Sequence, residues 1–224
     1  MVRVFIGTSP YGDDKDAEKV LEYTLRKNCS EPIEIVFMRN DKNIDNFFSN
    51  FNDEPWWTPF SYLRWAIPEY CDFKGRALYM DVDQVNFKDI SKLFYMDMEG
   101  RSVAIRESDK RTCVMLMDCE KLKGKLPLVK DLKVNPPKDL SILVSKILND
   151  STYYDKRWNC LDGEDLRSSN IWHLHFTEMT TQPWSPPWAK DAFEKKGKPF
   201  IRKQHPRGDL VYIWKYLLKE ASNV

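Results

Sequence analysis

Short apolar runs alternate with amphipathic stretches along the chain, and that alternation predicts its elements. Val2 to Ile6 reads as a strand that runs into the loop Gly7-Thr8-Ser9-Pro10. Ala17, Val20, Leu21 and Leu25 then recur with the 3.6-residue rhythm of a helix buried on one face, with Asp13 or Asp14 as its N-cap. Ile33 to Met38 predicts a second strand, and the polar, Asn-rich stretch 40–52 a loop. Ser61 to Tyr70 predicts a helix with Pro68 near its end or kinking it. Arg76 to Asp81 predicts a third strand, and Val103–Ile105 and Val114–Met117 two more, mixed into the sheet. Leu140, Leu143, Val144, Ile147 and Leu148 mark another amphipathic helix. Leu210, Val211, Ile213, Trp214, Leu217 and Leu218 mark a last one, capped by Asp209. Such alternation argues an α/β fold with parallel strands.

One strand changes the picture. Ala77-Leu78-Tyr79-Met80 leads straight into Asp81-Val82-Asp83, two acids separated by one residue. Ligands of open α/β sheets bind at the carboxyl ends of strands. Two carboxylates there form a hard oxygen site suited to Mg²⁺ or Mn²⁺, ions that keep substrate phosphates in their shell.

Composition narrows the classes. The 224 residues suit one large α/β domain rather than two. Lys plus Arg number 35 against 34 Asp plus Glu, so no basic excess points to nucleic acid or to a membrane surface. No run of about eighteen apolar residues is present to span a membrane. Met1 to Gly7 reads as a first strand and not a signal peptide. Cysteines 29, 71, 113, 119 and 160 are odd in number and lack Cys-x-x-Cys spacing, which predicts reduced thiols and a cytoplasmic location. Tryptophans cluster at Trp56-Trp57-Trp65 and Trp172-Trp184-Trp188, as core or as walls for sugars and bases.

Several blocks, taken in order, resemble family-8 glycosyltransferases. They are Pro59-Phe60-Ser61-Tyr62-Leu63-Arg64-Trp65-Ala66-Ile67-Pro68, Gly75 to Asp83, and Asp89-Ile90-Ser91-Lys92-Leu93-Phe94, then Trp158-Asn159 and His175-Phe176 followed by Gln182-Pro183-Trp184. The resemblance covers about residues 2 to 185 and implies a single-domain GT-A (Rossmann-like) fold, a mixed central sheet flanked by helices. Residues 1–224 would form that one glycosyltransferase domain, with a nucleotide-binding half over about 1–110. An acceptor half with the C-terminal helix would occupy about 111–224. The implied activity is metal-dependent transfer of a sugar from a nucleotide diphosphate, a UDP-sugar, to a hydroxyl of a glycan or glycoprotein acceptor, with retention.

The same resemblance suggests roles. Asp81 and Asp83 would hold Mn²⁺ or Mg²⁺ with His175 as third ligand, and His173, two residues earlier on the same strand face, competes for that place. Arg64 is either a snorkelling helix-edge residue or a fork near the phosphates or aspartates. Thr8 and Ser9 would hydrogen-bond the base or ribose, and Tyr11 would stack on uracil. Val82, Gln182 and Trp184 complete the expected nucleotide-sugar contacts, with Trp184 and Trp188 also read as packing residues. His205 reads as a surface residue. The segment 175–187 reads as a mobile connection.

Departures are equally specific. Arg111-Thr112-Cys113 stands where the family shows asparagine, a small residue and glycine. Asp139-Leu140-Ser141-Ile142-Leu143 stands where it shows an "aspartate, glutamine, aspartate" phrase, and Gln182 replaces a phosphate-binding lysine. If inversion applied, the base would come from Asp139, Asp162, Glu164, Asp165 or Glu178. Two other readings remain: a nucleotide-sugar-binding module without turnover, and a haloacid-dehalogenase-type phosphatase, which also places Asp-x-Asp after an apolar strand.

Overall fold

The strand Arg76–Asp81 (β3) lies at the centre of the molecule, its residues Ala77 to Met80 wholly buried. In the computed structural model, which describes residues 1–52, 56, 58–107, 111–134, 140–164 and 167–223, it pairs on one side with Val2–Gly7 (β1) and on the other with Val114–Asp118 (β6). The six-stranded sheet runs β2-β1-β3-β6-β5-β7, where β2 is Ile33–Met38, β5 Val103–Arg106 and β7 Thr152–Tyr154. The first three strands of that order are parallel, β6 is antiparallel to both neighbours, and β7 is parallel to β5. The sheet is therefore mixed, as the sequence predicts.

Helices cover this sheet. Lys15–Lys27 (α1) buries Ala17, Val20, Leu21 and Leu25, the residues whose spacing predicts it. Ser61–Ala66 forms a 3₁₀ turn that passes into Ile67–Tyr70 (α2), with Pro68 in the first turn, where its missing N–H costs no helical bond. Ser91–Phe94 (α3), Val129–Val134 (α4) and Leu140–Asn149 (α5) are short, and α5 buries Leu140 and Ile147. Pro187–Lys195 (α6) begins at a proline in its first turn. Gly208–Ala221 (α7) packs on α1, with Leu210, Trp214 and Leu217 buried. Its cap position is Arg207, not Asp209, which lies inside the first turn and pairs with Arg207 at 2.7 Å.

A second sheet, order β4-β9-β8, carries what the hydrophobic pattern does not reveal: Gln84–Asn86 (β4), Cys160–Leu161 (β8) and His173–His175 (β9). These strands of two or three residues are too short for a period-2 signal. Asp81-Val82-Asp83 carries the chain from the end of β3 to the start of β4, and so from one sheet into the other. No helix among the described residues is long and apolar enough to cross a membrane.

Candidate active site

Both aspartates are fixed by backbone before their side chains act. Asp81 N–H donates to the Cys113 carbonyl at 3.0 Å, Val82 N–H to the Gly7 carbonyl at 3.1 Å, and the Asp83 carbonyl accepts from Phe176 N–H at 2.9 Å. Register places His175 opposite Gln84, so β9 brings the imidazole to the carboxylates. His175 Nε2 lies 3.3 Å from Asp83 Oδ1. That oxygen is buried and has no hydrogen-bond donor, while Asp83 Oδ2 accepts from Gln182 Nε2 at 3.1 Å. In the metal-free chain the ring of His175 answers that oxygen as a cation, a place a divalent ion would take with the imidazole neutral. The donor set on this seam fits a divalent ion.

Asp81 is held differently. Its Oδ1 accepts from Tyr79 Oη and from Arg64 at 3.3 Å, which leaves Oδ2 without a bonded partner among the described residues. Tyr79 and Asp81 alternate on one face of β3, so their proximity follows from the pleat. Gly7 permits it, because a Cβ there would meet Tyr79 Oη at 2.7 Å. Arg64 is buried, its guanidinium 4.2 Å from the Tyr79 ring centroid and bonded to the Ser61 carbonyl and to Thr112. Of its two readings, the structure shows the fork beside the aspartate. Burial raises the Asp81 pKa, with Arg64 opposing and Asp83 adding to it.

The histidines separate cleanly. For His175, burial opposes the charged ring, yet Cys113 and Asp83 outweigh it and hold its pKa well above the ordinary value. Its Nδ1 faces Asn159 Oδ1 at 3.2 Å. His173 shares the strand face but meets amides instead, Gln84 Oε1 at 2.7 Å and Asn86 Oδ1 at 3.3 Å. Burial, helped by the charge of His175, pushes its pKa down to about 3. His205, expected at the surface, is buried: its Nε2 donates to Asp162 at 3.0 Å, and its ring packs edge-on against Phe176 at 5.6 Å.

The first loop is built around an acid that the sequence offers only as a helix cap. Asp14 makes no side-chain cap; its carboxylate turns inward and accepts from Ser9 N–H at 3.1 Å, Trp184 Nε1 at 3.2 Å and Trp188 Nε1 at 3.0 Å. Burial outweighs these three hydrogen bonds and lifts its pKa to about 6. Thr8 and Ser9 are buried, with hydroxyls directed at Glu18 and Asp13. Tyr11 is 67% exposed on the rim of a 610 Å³ cavity, which Trp56, Pro59, Trp188, Lys42 and Lys195 also line. The aspartates and His175 are not part of that lining. Trp184 stacks on Trp214 at 5.4 Å, so it packs as well as bonding.

Among the candidate bases, Asp162 also accepts both the N–H and hydroxyl of Thr177, Glu164 pairs with Arg106, and Glu178 is an exposed residue that closes its own turn on Thr180. Asp139 and Asp165 lie outside the described residues, as does Trp57. Cys113 goes unnoticed in the sequence as a site residue. Its Sγ belongs with Asp81 and His175 to a group whose ligand atoms all lie within 4.8 Å of one another.

Residues 9–125, just over half the chain, match the family described as Glycosyl transferase family 8. The chain belongs to that family. No curated protein sequence matches it. Its fold is that of solved GT-A glycosyltransferases. The glycosyltransferase GlyE of Streptococcus pneumoniae TIGR4 superposes with a TM-score of 0.59 at 13% identity, covering 98% of this chain and 62% of GlyE. The galactosyltransferase LgtC, crystallised with donor and acceptor sugar analogues, gives 0.53 at 13% identity, covering 93% of this chain and 99% of LgtC. The chain thus spans about 62% of the length of GlyE. The fold class and family implied by the sequence blocks are both borne out.

Proposed function

We propose that this family-8 chain transfers a sugar from a nucleotide diphosphate donor, a UDP-sugar, to a hydroxyl of a glycan or glycoprotein acceptor. Asp81, Asp83 and His175 would hold the divalent ion, Mn²⁺ or Mg²⁺. The observation that carries this reading is the seam on which Asp83 Oδ1 faces His175 Nε2 at 3.3 Å, while ligand atoms of His175 and Asp81 lie within 4.8 Å of each other. A bound ion supplies charge neutralisation where the leaving diphosphate becomes negative.

The chain's own groups orient that site. Arg64 and Tyr79 hold one oxygen of Asp81, Gln182 holds Asp83, and Asn159 holds His175. Gln182, at the family's lysine position, thereby acts on a carboxylate where the lysine would act on phosphate. Tyr11, exposed on the first loop, would stack on the base, and Thr8 and Ser9 would brace the turn that presents it. Val82 fastens the Asp-x-Asp turn to β1, and Trp184 fastens the segment after β9 to Asp14. Residues to about 110 would serve the nucleotide, and 111–224 would add His175 and the acceptor side. Without a free carboxylate among the described candidates, the departing diphosphate takes the acceptor proton, which favours retention.

Buried Leu140, where the family's glutamine falls, favours a second reading, a nucleotide-sugar-binding module without turnover. A screen of nucleotide sugars for Mn²⁺-dependent hydrolysis separates the two. UDP release from one sugar donor is the expected result. Binding without release supports the module, and failure to bind any nucleotide sugar overturns both.

A further inference from the structure

Antiparallel pairing of β3 with β6 sets Met80 opposite Val114, and the next rung joins Asp81 N–H to the Cys113 carbonyl at 3.0 Å. Residues opposite one another across an antiparallel pair project from the same face. The Cys113 side chain therefore falls beside the Asp81 carboxylate, and its Sγ lies within 4.8 Å of ligand atoms of both Asp81 and His175. Gln84 Nε2 donates to the same Cys113 carbonyl at 2.8 Å, so the cysteine backbone is tied to both ends of the Asp-x-Asp turn.

The sulfur is also aimed. Asn159 Nδ2 donates to Cys113 Sγ at 3.2 Å, while Oδ1 of the same amide faces His175 Nδ1 at 3.2 Å. One amide thus orients a sulfur and an imidazole together, leaving His175 Nε2 toward Asp83. An outer residue that fixes two donor groups at once is the usual support of a metal centre. A buried cysteine packing as a small hydrophobe would sit among apolar side chains. This one meets an amide, a carboxylate and an imidazole.

We propose that Cys113 is a sulfur ligand of this metal site, extending its range from Mn²⁺ to the more thiophilic Co²⁺ and Zn²⁺. The proposal rests on the reading of Asp81, Asp83 and His175 as metal ligands. Carboxylate, imidazole and thiolate together make a borderline donor set, to which zinc and cobalt bind more tightly than manganese or magnesium.

The test is a titration of the full chain with Co²⁺ alone, without nucleotide. A near-ultraviolet sulfur-to-cobalt charge-transfer band is expected in the native chain. It should be absent from Cys113→Ser, in which the weaker visible cobalt bands persist. Zn²⁺ affinity, from displacement of Co²⁺, should fall on the order of 10-fold to 100-fold in that variant, with Mn²⁺ affinity nearly unchanged. Should the variant not fold, protection of Cys113 from iodoacetamide by Zn²⁺ in the native chain, read by mass spectrometry, replaces it. Cobalt bound without the charge-transfer band, a band retained in Cys113→Ser, or alkylation unaffected by Zn²⁺ would each overturn the proposal. If Asp83→Asn still abolished Mn²⁺-dependent UDP binding in that case, the metal reading would stand and the sulfur alone would fall. Failure of the native chain to bind any of these ions would defeat both.

Discussion

At the scale of single residues, the two aspartates of one motif have unequal structural duties. Asp83 Oδ1 meets the charged ring of His175 at 3.3 Å and no buried guanidinium, so removing its charge costs the fold one ion pair while lifting a desolvation cost. Asp83→Asn should abolish Mn²⁺-dependent UDP binding while altering the unfolding free energy by less than about 1 kcal/mol. Asp81 is no exposed acid: it is the carboxylate partner of Arg64, whose side chain is 6% exposed. Asp81→Ala should cost about 3 kcal/mol in a urea titration, the lower end for breaking a buried pair, because Arg64 keeps Ser61 and Thr112. An equal, small cost for both variants would contradict this division. The histidines divide similarly. His175→Ala should weaken Mn²⁺-dependent UDP binding on the order of 10-fold to 100-fold by calorimetry. His173→Ala should leave that binding alone and cost about 1–3 kcal/mol through stranded amides. The sequence makes Asp81 and Asp83 legible because a run of apolar residues delivers them to a strand end. It does not reveal that Asn159 and Cys113 meet, since that contact depends on antiparallel register and on strands of two or three residues.

At the scale of elements, the long regular pieces follow from pattern: α1, α7 and the central strands lie where hydrophobic spacing puts them. The segment after β9 does not, because its prolines and threonines read as a mobile connection. In the structure it is anchored by two indole N–H groups on Asp14 and continues into α6. Proline in a first turn starts a helix as readily as it ends one. The anchor makes a pH prediction. Burial raises the Asp14 pKa from 3.8 to about 6, so the folded chain holds this proton more tightly than the unfolded chain. The resulting stability is fully present below about 3.8 and is lost as pH rises through about 6, a change of about 3 kcal/mol from this group alone. The difference in unfolding free energy between the native chain and Asp14→Asn should therefore vary by about that much between these limits. Tryptophan emission should also shift with a midpoint near pH 6, and Asp14→Asn should remove the shift. A flat difference across that range would show that the acid is not held as described.

At the scale of the whole molecule, the two sheets bring the proposed metal ligands to one seam, and each candidate base among the described residues is already engaged elsewhere, which bears on the outcome of transfer. Inversion requires a base within hydrogen-bond reach of the acceptor hydroxyl, opposite the leaving group. Asp162 is locked between His205 and Thr177, Glu164 is paired with Arg106, and Glu178 closes an exposed turn. Each already serves the fold. A carboxylate held by such partners cannot approach an acceptor without breaking those bonds. Retention removes the requirement, because the acceptor attacks from the side on which the diphosphate departs and the diphosphate takes the proton. Glu178→Gln should then leave kcat within about threefold, since no interaction confined to the transition state is lost. Asp162→Asn should act through stability, lowering the unfolding midpoint more than it lowers kcat at temperatures where the variant is folded. The anomeric configuration of the product, read from NMR coupling constants once an acceptor is in hand, should match that of the donor. An inverted product, together with loss of turnover on replacing any one of Asp139, Asp162, Glu164, Asp165 or Glu178 in a chain that still folds, would establish a base at that residue and defeat the retaining route.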